Sequence, residues 1–362
     1  MAEIDESVVF DYSEAAPGSR RYTPEFEPVP TTPLLQDSVV VLNITAKDLY
    51  LNLGCVDEAA LETAYQYCHR ITKRGSKTFY FGSLLLPYHK RRAMWAFYSF
   101  CRYTDDLVDN APTLSAQQLT QKLAQWETEA KAAFDGRVRS EMHYMLAWSH
   151  SVASFQIPSA PPLELLEGCR MDLNKRRYAN FEELRLYCYR VASTVGLVAS
   201  EIIGYDDPVA LNYAVDLGIA MQLTNILRDV GEDAQNGRIY IPLDEMQRFG
   251  YTEEELLQGV INQPFVELMQ FQIARARQFY QKALPGIEHL TPDSRLSIAV
   301  AANLYSRILD MIERNGYDVF TRRAYVPMGR KLRELLAIWR QRRAIRATAK
   351  KNRSVKSSEA DA

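Results

Sequence analysis

The sequence has few of the features of a disulfide-bonded, secreted or membrane-spanning protein. Its five cysteines are odd in number and show no CxxC spacing, which argues for thiols in a reducing compartment. No stretch approaches the roughly 20 apolar residues that cross a bilayer. The start, MAEIDESVVF, resembles neither a signal peptide nor an Arg/Ser-rich transit peptide. We therefore expect a cytoplasmic chain, or one of the plastid stroma or its membranes if the source has plastids.

Several catalytic motifs are also missing from the sequence. It has no GxxxxGK phosphate loop, and it has neither HExxH nor ExxH, which excludes the usual zinc protease and di-iron carboxylate sites. The five histidines are scattered along the chain and are typical of structural or surface positions. Because the net charge is only -2, we expect no nucleic-acid partner, and any anionic ligand must be recognised locally.

The spacing of apolar residues indicates a helical protein with three regions. Residues 1–33 carry five of the sixteen prolines, so we assign residues 1–55 to a poorly ordered acidic extension. Residues 56–345 form the all-α domain, a single helical bundle around a central cavity, and residues 346–362 form a basic and polar tail. About eight to ten helices are expected. The predicted breaks are Pro87, Asn110 to Pro112, Pro158 to Pro162, Asp206 to Pro208, Asn236-Gly237, Pro264, Pro285 and Asn315-Gly316.

The segment 329–353 is strongly basic, with ten Lys/Arg and one Glu. One helical face of it carries Leu332, Leu335, Leu336 and Trp339. This pattern fits a terminal helix that packs on the bundle and exposes a solvated basic face. It fits equally well a peripheral surface that contacts anionic lipid.

A polar stripe runs through the apolar segment 95–110. Tyr98, Arg102, Asp105 and Asp109 are spaced by four, three and four residues, which places them on one helical face. Two carboxylates about 6 Å apart on a buried face repel each other and lose hydration. A divalent cation relieves both costs, and carboxylate oxygens suit Mg²⁺.

A second stripe with the same character lies in the segment 218–242. Gln222, Asn225, Asp229 and Asp233 recur at three, four and four residues, opposite an apolar face. Arg228 lies one residue off the stripe, where a guanidinium can reach a phosphate. Two such stripes together can bind two or three Mg²⁺ ions and one or two diphosphates. Diphosphate leaves readily once Mg²⁺ and arginine neutralise its charge, so the pattern favours ionisation of an allylic diphosphate.

The segment 185–200 is aromatic at its start and then carries the small residues Ala192, Ser193, Thr194 and Gly196. Small side chains can open a channel for a long apolar tail, although close packing of helices is their usual meaning.

Five segments of the chain resemble the squalene/phytoene synthase family, and within it most resemble the phytoene synthases of cyanobacteria and plants. The resemblance runs from about Ala64 to Leu335. Its markers are GSKTFYFGSLLLP (75–87), YSFCRYTDDLVD (98–109), MDLNKRRYANFEELRLYCYRVASTVG (171–196), QLTNILRDVGEDAQNGRIYIP (222–242) and FTRRAYVPMGRKL (320–332). Asp106 stands where Glu is common in the phytoene branch, and Ser193 stands where Gly is frequent.

The resemblance implies a role for each matching residue. The implied Mg²⁺ ligands are Asp105, Asp109, Asn225, Asp229 and Asp233, with Gln222 nearby. The implied diphosphate-binding residues are Ser76, Lys77, Tyr98, Arg102, Arg228 and Arg322. Tyr187 and Tyr305 are expected beside the reacting carbons. The expected lining of the tail channel is Phe79, Val191, Ala192, Val195 and Gly196.

The resemblance also implies a reaction. Two geranylgeranyl diphosphate molecules join through a cyclopropyl diphosphate to give phytoene, with Mg²⁺ or alternatively Mn²⁺ and without NADPH. Further expected partners are a membrane surface and the enzymes that precede or follow in carotenoid synthesis. Two alternatives stay open: squalene or dehydrosqualene synthesis from farnesyl diphosphate, and a catalytically silent relative that serves assembly or binds lipid.

Overall fold

The computed structural model describes residues 50–53, 56–109, 115–139 and 142–327, which are helical almost throughout. The first elements are β1 (Tyr50–Asn52), α1 (Glu58–Gly75), α2 (Lys77–Ser83), α3 (Tyr88–Asp109), α4 (Ala116–Phe134), β2 (Arg137–Arg139), α5 (His143–Phe155) and α6 (Ala160–Asn174). They are followed by α7 (Phe181–Cys188), a π-helix (Tyr189–Ser193), α8 (Thr194–Ile203), α9 (Ala210–Gln235), α10 (Leu243–Arg248), α11 (Glu253–Leu257), α12 (Gln263–Ala283), a 3₁₀ helix (Leu284–His289) and α13 (Arg295–Arg314).

The all-α prediction is confirmed, with more helices than expected. Thirteen α-helices lie in the described ranges, because short helices such as α10 and α11 have too few residues to show a clear period. β1 and β2 pair antiparallel, with Tyr50 opposite Arg139. Apart from β1 and Leu53, the predicted extension 1–55 lies outside the described residues, as do the basic segment 329–353 and the tail 346–362.

Helix boundaries follow local capping chemistry. The Asp57 carboxylate accepts a hydrogen bond from the Ala60 amide at the start of α1. Ser115 and Gln118 form a capping box at the start of α4, and such caps contribute about 1 kcal/mol each. Pro264 lies in the first turn of α12, where no amide donor is needed. The predicted breaks between α5 and α6, between α8 and α9, and after α9 and α13 are confirmed.

Helix α9 is the central element and packs against α8, α12, α13 and the π-helix. Its apolar face is buried as predicted, including Ile219, Leu223 and Leu227. Gly218 allows the closest approach, since a Cβ there would lie 2.3 Å from the Ala192 carbonyl oxygen. The backbone of the π-helix therefore lies directly against α9.

Residues Phe181–Ile203 form one continuous helix through α7, the π-helix and α8. It is long and apolar enough to cross a membrane by length and composition, so the expectation that no stretch reaches that length was wrong. However, 67% of its apolar window is buried inside the bundle. A buried core helix passes the same test, so this helix is weak evidence of a membrane span.

The position of α3 is fixed by an aromatic core. Phe97 and Phe100 each lie 5.2 Å, centroid to centroid, from the fully buried Trp148 of α5. Buried aromatic side chains contribute about 1.5–3 kcal/mol each through apolar burial. This packing leaves the polar stripe of α3 on the opposite side.

Four cysteines are buried free thiols, namely Cys68, Cys101, Cys169 and Cys188.

Candidate active site

The stripe on α3 is organised by a buried arginine. Arg102 forms a close ion pair with Asp106, and its Nη1 lies 3.8 Å from Asp105 Oδ2. Asp105 is half-buried, so the arginine charge offsets part of its lost hydration. Asp109 is the last residue of α3, and its side chain lies outside the described residues.

Tyr98 lies one turn before Arg102 and is buried beside α2. Its ring centroid is 5.1 Å from that of Phe79. Burial is the main cause that raises the pKa of Tyr98 above its usual range, and its hydroxyl has no hydrogen-bond partner among the described residues. Gly75 makes room for this hydroxyl, since a Cβ there would lie 2.3 Å from Tyr98 Oη.

The start of α2 lies next to Tyr98 in the structure. Ser76 is buried, and its Oγ accepts a hydrogen bond from the Phe79 amide, which caps α2. Lys77 is exposed at the first position of the helix. The fit of Gly75 against Tyr98 therefore brings Ser76 and Lys77 near the α3 stripe.

The stripe on α9 is tied to α13 by hydrogen bonds. The Tyr305 hydroxyl donates a short hydrogen bond to Asn225 Oδ1, and Asn225 Nδ2 donates to Gln222 Oε1 at 3.2 Å. Arg228 Nη1 lies 3.4 Å from the Tyr305 hydroxyl. Asn225 and Arg228 are both buried, so this end of the stripe is held in one arrangement.

Asp229 is contacted by two arginines. Arg228, only 3% exposed, donates from Nη2 to Asp229 Oδ2 at 2.6 Å. Arg323 Nη2 lies 3.1 Å from Asp229 Oδ1, and its Nη1 lies 2.9 Å from Glu232. The side chain of Arg322, which the sequence suggested for diphosphate binding, is 72% exposed and lies 3.9 Å from Asp318. The structure therefore places Arg323, which sequence reasoning missed, at this cluster and Arg322 outside it.

Asp233, one turn further along α9, is in a low-dielectric and negatively charged setting. Burial, followed by the charge of Asp229, raises the pKa of Asp233 well above its usual range, and Arg238 opposes this shift. A carboxylate held in this way gains from a nearby cation.

A buried tyrosine cluster adjoins Asp233. The hydroxyls of Tyr187 and Tyr240 donate to the two oxygens of Asp172 at 2.8 and 2.7 Å, and their rings stack at 5.1 Å. Asp172 also contributes to the raised pKa of Asp233. Sequence reasoning missed Asp172 and Tyr240, although Asp172 lies in the MDLNKRRY segment, because a single carboxylate shows no spacing pattern.

The carboxylates of the site suit a cation that also binds oxygen atoms of the substrate. Among the described residues, no three His, Cys, Asp or Glu side chains lie close enough together to bind a metal by themselves. The donors on α9 (Asn225, Asp229, Asp233) are spaced along one helix face and are of the hard oxygen type. Mg²⁺ typically takes one or two carboxylates and fills its shell with water and phosphate oxygens. The donor set therefore suits a metal that arrives with a phosphorylated substrate.

An apolar cavity with about 1100 Å³ of empty space, part of it open to solvent, extends from the site along α9. Phe79, Ala192, Val195 and Gly196 line it, as the sequence suggested. Val191 is buried but is not part of the lining. It packs on α6, where a Cβ at Gly168 would lie 2.7 Å from Val191 Cγ1.

The helical bundle has the fold of the isoprenoid synthases. A family model described as squalene/phytoene synthase matches residues 72–330, and the chain belongs to this family of prenyl-transferring enzymes. Enzymes of this family generally require a divalent metal ion. They act on prenyl diphosphates.

Individual relatives agree with this assignment. A 15-cis-phytoene synthase from Synechocystis sp. is 44% identical over 293 residues, which cover 78% of this chain and 86% of that protein. A phytoene synthase from Arthrospira platensis is 45% identical over 287 residues, covering 76% and 92%. The crystal structure of a dehydrosqualene synthase matches with a TM-score of 0.73 at 31% identity, covering 79% of this chain and 99% of that one.

Proposed function

We propose that the protein condenses two geranylgeranyl diphosphates head to head and forms phytoene. In the first step a cyclopropyl diphosphate forms, and one diphosphate and one proton leave. In the second step the other diphosphate leaves, the cation rearranges and a second proton is lost. Both steps balance without a hydride donor, so no NADPH is required. Squalene formation, in contrast, ends with hydride transfer.

The distance from the oxygen donors on α9 to the far end of the apolar cavity supports the choice of a C20 substrate. The cavity lining on α9 extends from Met221 to Ala210. Ala210 precedes Asn225 by fifteen residues, which is about 22 Å at 1.5 Å per residue. Since three bonds of extended chain span 3.8 Å, the four chain bonds of one isoprene unit span about 5 Å. Four units then need about 20 Å and three about 15 Å, so a farnesyl tail would leave the far end of this span unfilled.

The proposed metal ligands are Asp105, Asp109, Asn225, Asp229 and Asp233. Bound Mg²⁺, or Mn²⁺ in its place, would neutralise the departing diphosphate. In the arrangement described above, Arg228 and Arg323 neutralise Asp229. When substrate enters, these arginines are positioned to exchange the carboxylate for diphosphate oxygens, which bind guanidinium at least as well. Ser76, Lys77, Tyr98 and Arg102 border the same end and would bind the second diphosphate.

Tyr187 and Tyr305 are proposed to stabilise the carbocations. Asp172 orients the hydroxyl of Tyr187, and Tyr305 is fixed by Asn225. An aromatic face attracts a cation by about 0.5–2 kcal/mol, more when water is excluded. Because both hydroxyls donate hydrogen bonds, both rings are held in a fixed orientation.

The experiment is incubation of the purified protein with geranylgeranyl or farnesyl diphosphate and Mg²⁺, with and without NADPH, followed by mass measurement of the extract. We expect a C40 hydrocarbon from geranylgeranyl diphosphate without NADPH. A preferred C30 product, or a product that needs NADPH, would replace this proposal by the squalene or dehydrosqualene alternative. No hydrocarbon and no diphosphate release would favour the silent relative.

We also propose that the protein binds peripherally to membranes, where its oily product and neighbouring carotenoid enzymes would be found. The support is the basic sequence 329–353, since cations near an anionic surface contribute about 1 kcal/mol each. Flotation with anionic and neutral vesicles, using the full chain and a truncation after Met328, tests this. Equal recovery with both vesicle types would contradict it.

A further inference from the structure

A buried lysine on the first turn of α3 has no part in the chemistry proposed above. Lys90 is 8% exposed. Its Nζ lies 2.7 Å from the Ile203 carbonyl, 2.8 Å from Asp293 Oδ1, 2.9 Å from Thr291 Oγ1 and 3.2 Å from Ser294 Oγ. An ammonium group has only three protons to donate, so these four oxygens saturate it.

The same cluster fixes the end of α8. The Ile203 carbonyl accepts from Thr291 Oγ1 at 2.6 Å and from Ser294 Oγ at 2.8 Å, in addition to Lys90. Ile203 is the last residue of α8, where a positive charge is favoured by the helix dipole. The end of α8 and the starts of α3 and α13 are therefore joined at one point.

This cluster borders the apolar cavity. Four residues of the cavity lining lie close to Lys90 or its partners. Leu86 and Met94 precede and follow Lys90 in the chain. Ile203 accepts a hydrogen bond from Lys90, and Leu290 is the chain neighbour of its partner Thr291. On the other side, the Asp293 side chain is 44% exposed. The cluster therefore lies between residues that line the cavity and a carboxylate that is exposed to solvent.

The distance from Lys90 to Asp105 along α3 matches the distance from Ala210 to Asn225 along α9. Lys90 precedes Asp105 by fifteen residues on α3, about 22 Å along the helix, as Ala210 precedes Asn225 on α9. Both helices begin beside residues that line the cavity, and both carry their carboxylates further along the helix.

We propose that the Lys90 cluster is the closed end that limits the length of the prenyl tail, so that tails longer than C20 are rejected. This inference rests on the proposed prenyl diphosphate substrate. An aliphatic floor can repack around an extra isoprene unit. The Lys90 ammonium group cannot make room in this way, because a longer prenyl tail would have to displace hydrogen bonds to a buried charge.

The test compares Lys90→Ala with the unchanged protein on C15, C20 and C25 allylic diphosphates. The readouts are kcat/KM for diphosphate release and thermal stabilisation by the matching thiolodiphosphate analogues. Removing the lysine side chain opens space towards Asp293. We expect the ratio of kcat/KM for C25 over C20 to rise roughly tenfold or more, with a parallel gain in stabilisation by the C25 analogue.

A matched control separates this effect from general loosening. Arg275→Met also removes a buried cation, one that pairs with Glu245 and does not line the cavity. We expect this variant to lose stability without a change in the C25 to C20 ratio. An unchanged ratio in Lys90→Ala, or an equal rise in both variants, would overturn the proposal.

A second variant covers the case in which Lys90→Ala does not fold. Leu86→Phe fills the space in front of the cluster and leaves Lys90 in place, so we expect it to prefer C15 over C20. A retained C20 preference would show that the tail ends elsewhere, and the proposal would fail. Because the analogue measurement needs no turnover, it decides the tail limit even if the protein forms no C40 product.

Discussion

Arg323 Nη2 lies 3.1 Å from Asp229 Oδ1, while its chain neighbour Arg322 is largely exposed and lies 3.9 Å from Asp318. Two adjacent arginines thus have different surroundings. Of these two residues, only Arg323 contacts a carboxylate of the proposed metal site. Substitution of each in turn therefore tests the role of a positive charge at that site.

We expect Arg323→Ala to lower kcat/KM for geranylgeranyl diphosphate by roughly tenfold or more, because it removes charge-assisted hydrogen bonds at the site. Arg322→Ala should stay within about twofold, as expected for an exposed charge. Steady-state assays of both variants, with circular dichroism as the folding control, check this. The reverse order of effects would return the role to Arg322.

Asp229→Asn should reduce turnover by roughly a hundredfold or more, because the amide is a weaker Mg²⁺ ligand and leaves Arg228 without its charge partner. Asp206→Asn, in an exposed turn between α8 and α9, is the control and should be near normal. Turnover is measured at rising Mg²⁺. Recovery of full activity by Asp229→Asn at saturating Mg²⁺ would argue against a ligand role.

Asp172→Asn should destabilise the protein by about 1–3 kcal/mol and lower activity, because two buried tyrosine hydroxyls lose a shared carboxylate acceptor. Tyr178→Phe is the control in the same cluster. Its hydroxyl is buried without a hydrogen-bond partner among the described residues, so its loss should be neutral or stabilising. Urea unfolding and activity of both variants measure this. Equal losses would mean that the cluster acts only through packing.

The raised pKa of Asp233 predicts a pH-dependent response to Mg²⁺. Burial and the charge of Asp229 favour the protonated form in the metal-free protein. This contribution to stability is present below the unfolded pKa, about 3.9, and is lost as pH rises through the higher folded pKa. Mg²⁺ binding must displace that proton, so thermal stabilisation by Mg²⁺ with inorganic diphosphate should be larger near about pH 8 than near about pH 6. Asp233→Asn should show a smaller difference between these two conditions than the unchanged protein, because only the titration of diphosphate itself then remains.

Ala192→Phe should shift preference from geranylgeranyl towards farnesyl diphosphate by roughly tenfold, because a bulky side chain would project into the cavity. Val191→Leu is the comparison, since Val191 lies next to Ala192 but packs on Gly168. It should alter stability with little effect on tail preference. Competition between the two diphosphates, read by product mass, decides the point.

The sequence by itself determined the class of fold and the two polar stripes. Capping residues such as Asp57, prolines such as Pro264 and the apolar period act over a few residues, so helix boundaries can be predicted locally. The spacing of Asn225, Asp229 and Asp233 on one face follows from helix geometry alone. These features need no knowledge of distant contacts.

Only the tertiary structure decided which side chains meet. Asp172 accepts from Tyr240, 68 residues away, and Lys90 reaches Asp293 across 203 residues. Likewise, Arg323 rather than Arg322 reaches Asp229, and Val191 turns towards Gly168 rather than the cavity. Such contacts depend on how whole helices pack and on the path of the non-helical segments. Neither can be predicted from a local sequence pattern. Periodicity therefore predicted the elements and their faces, whereas packing decided the polar contacts and the end of the cavity.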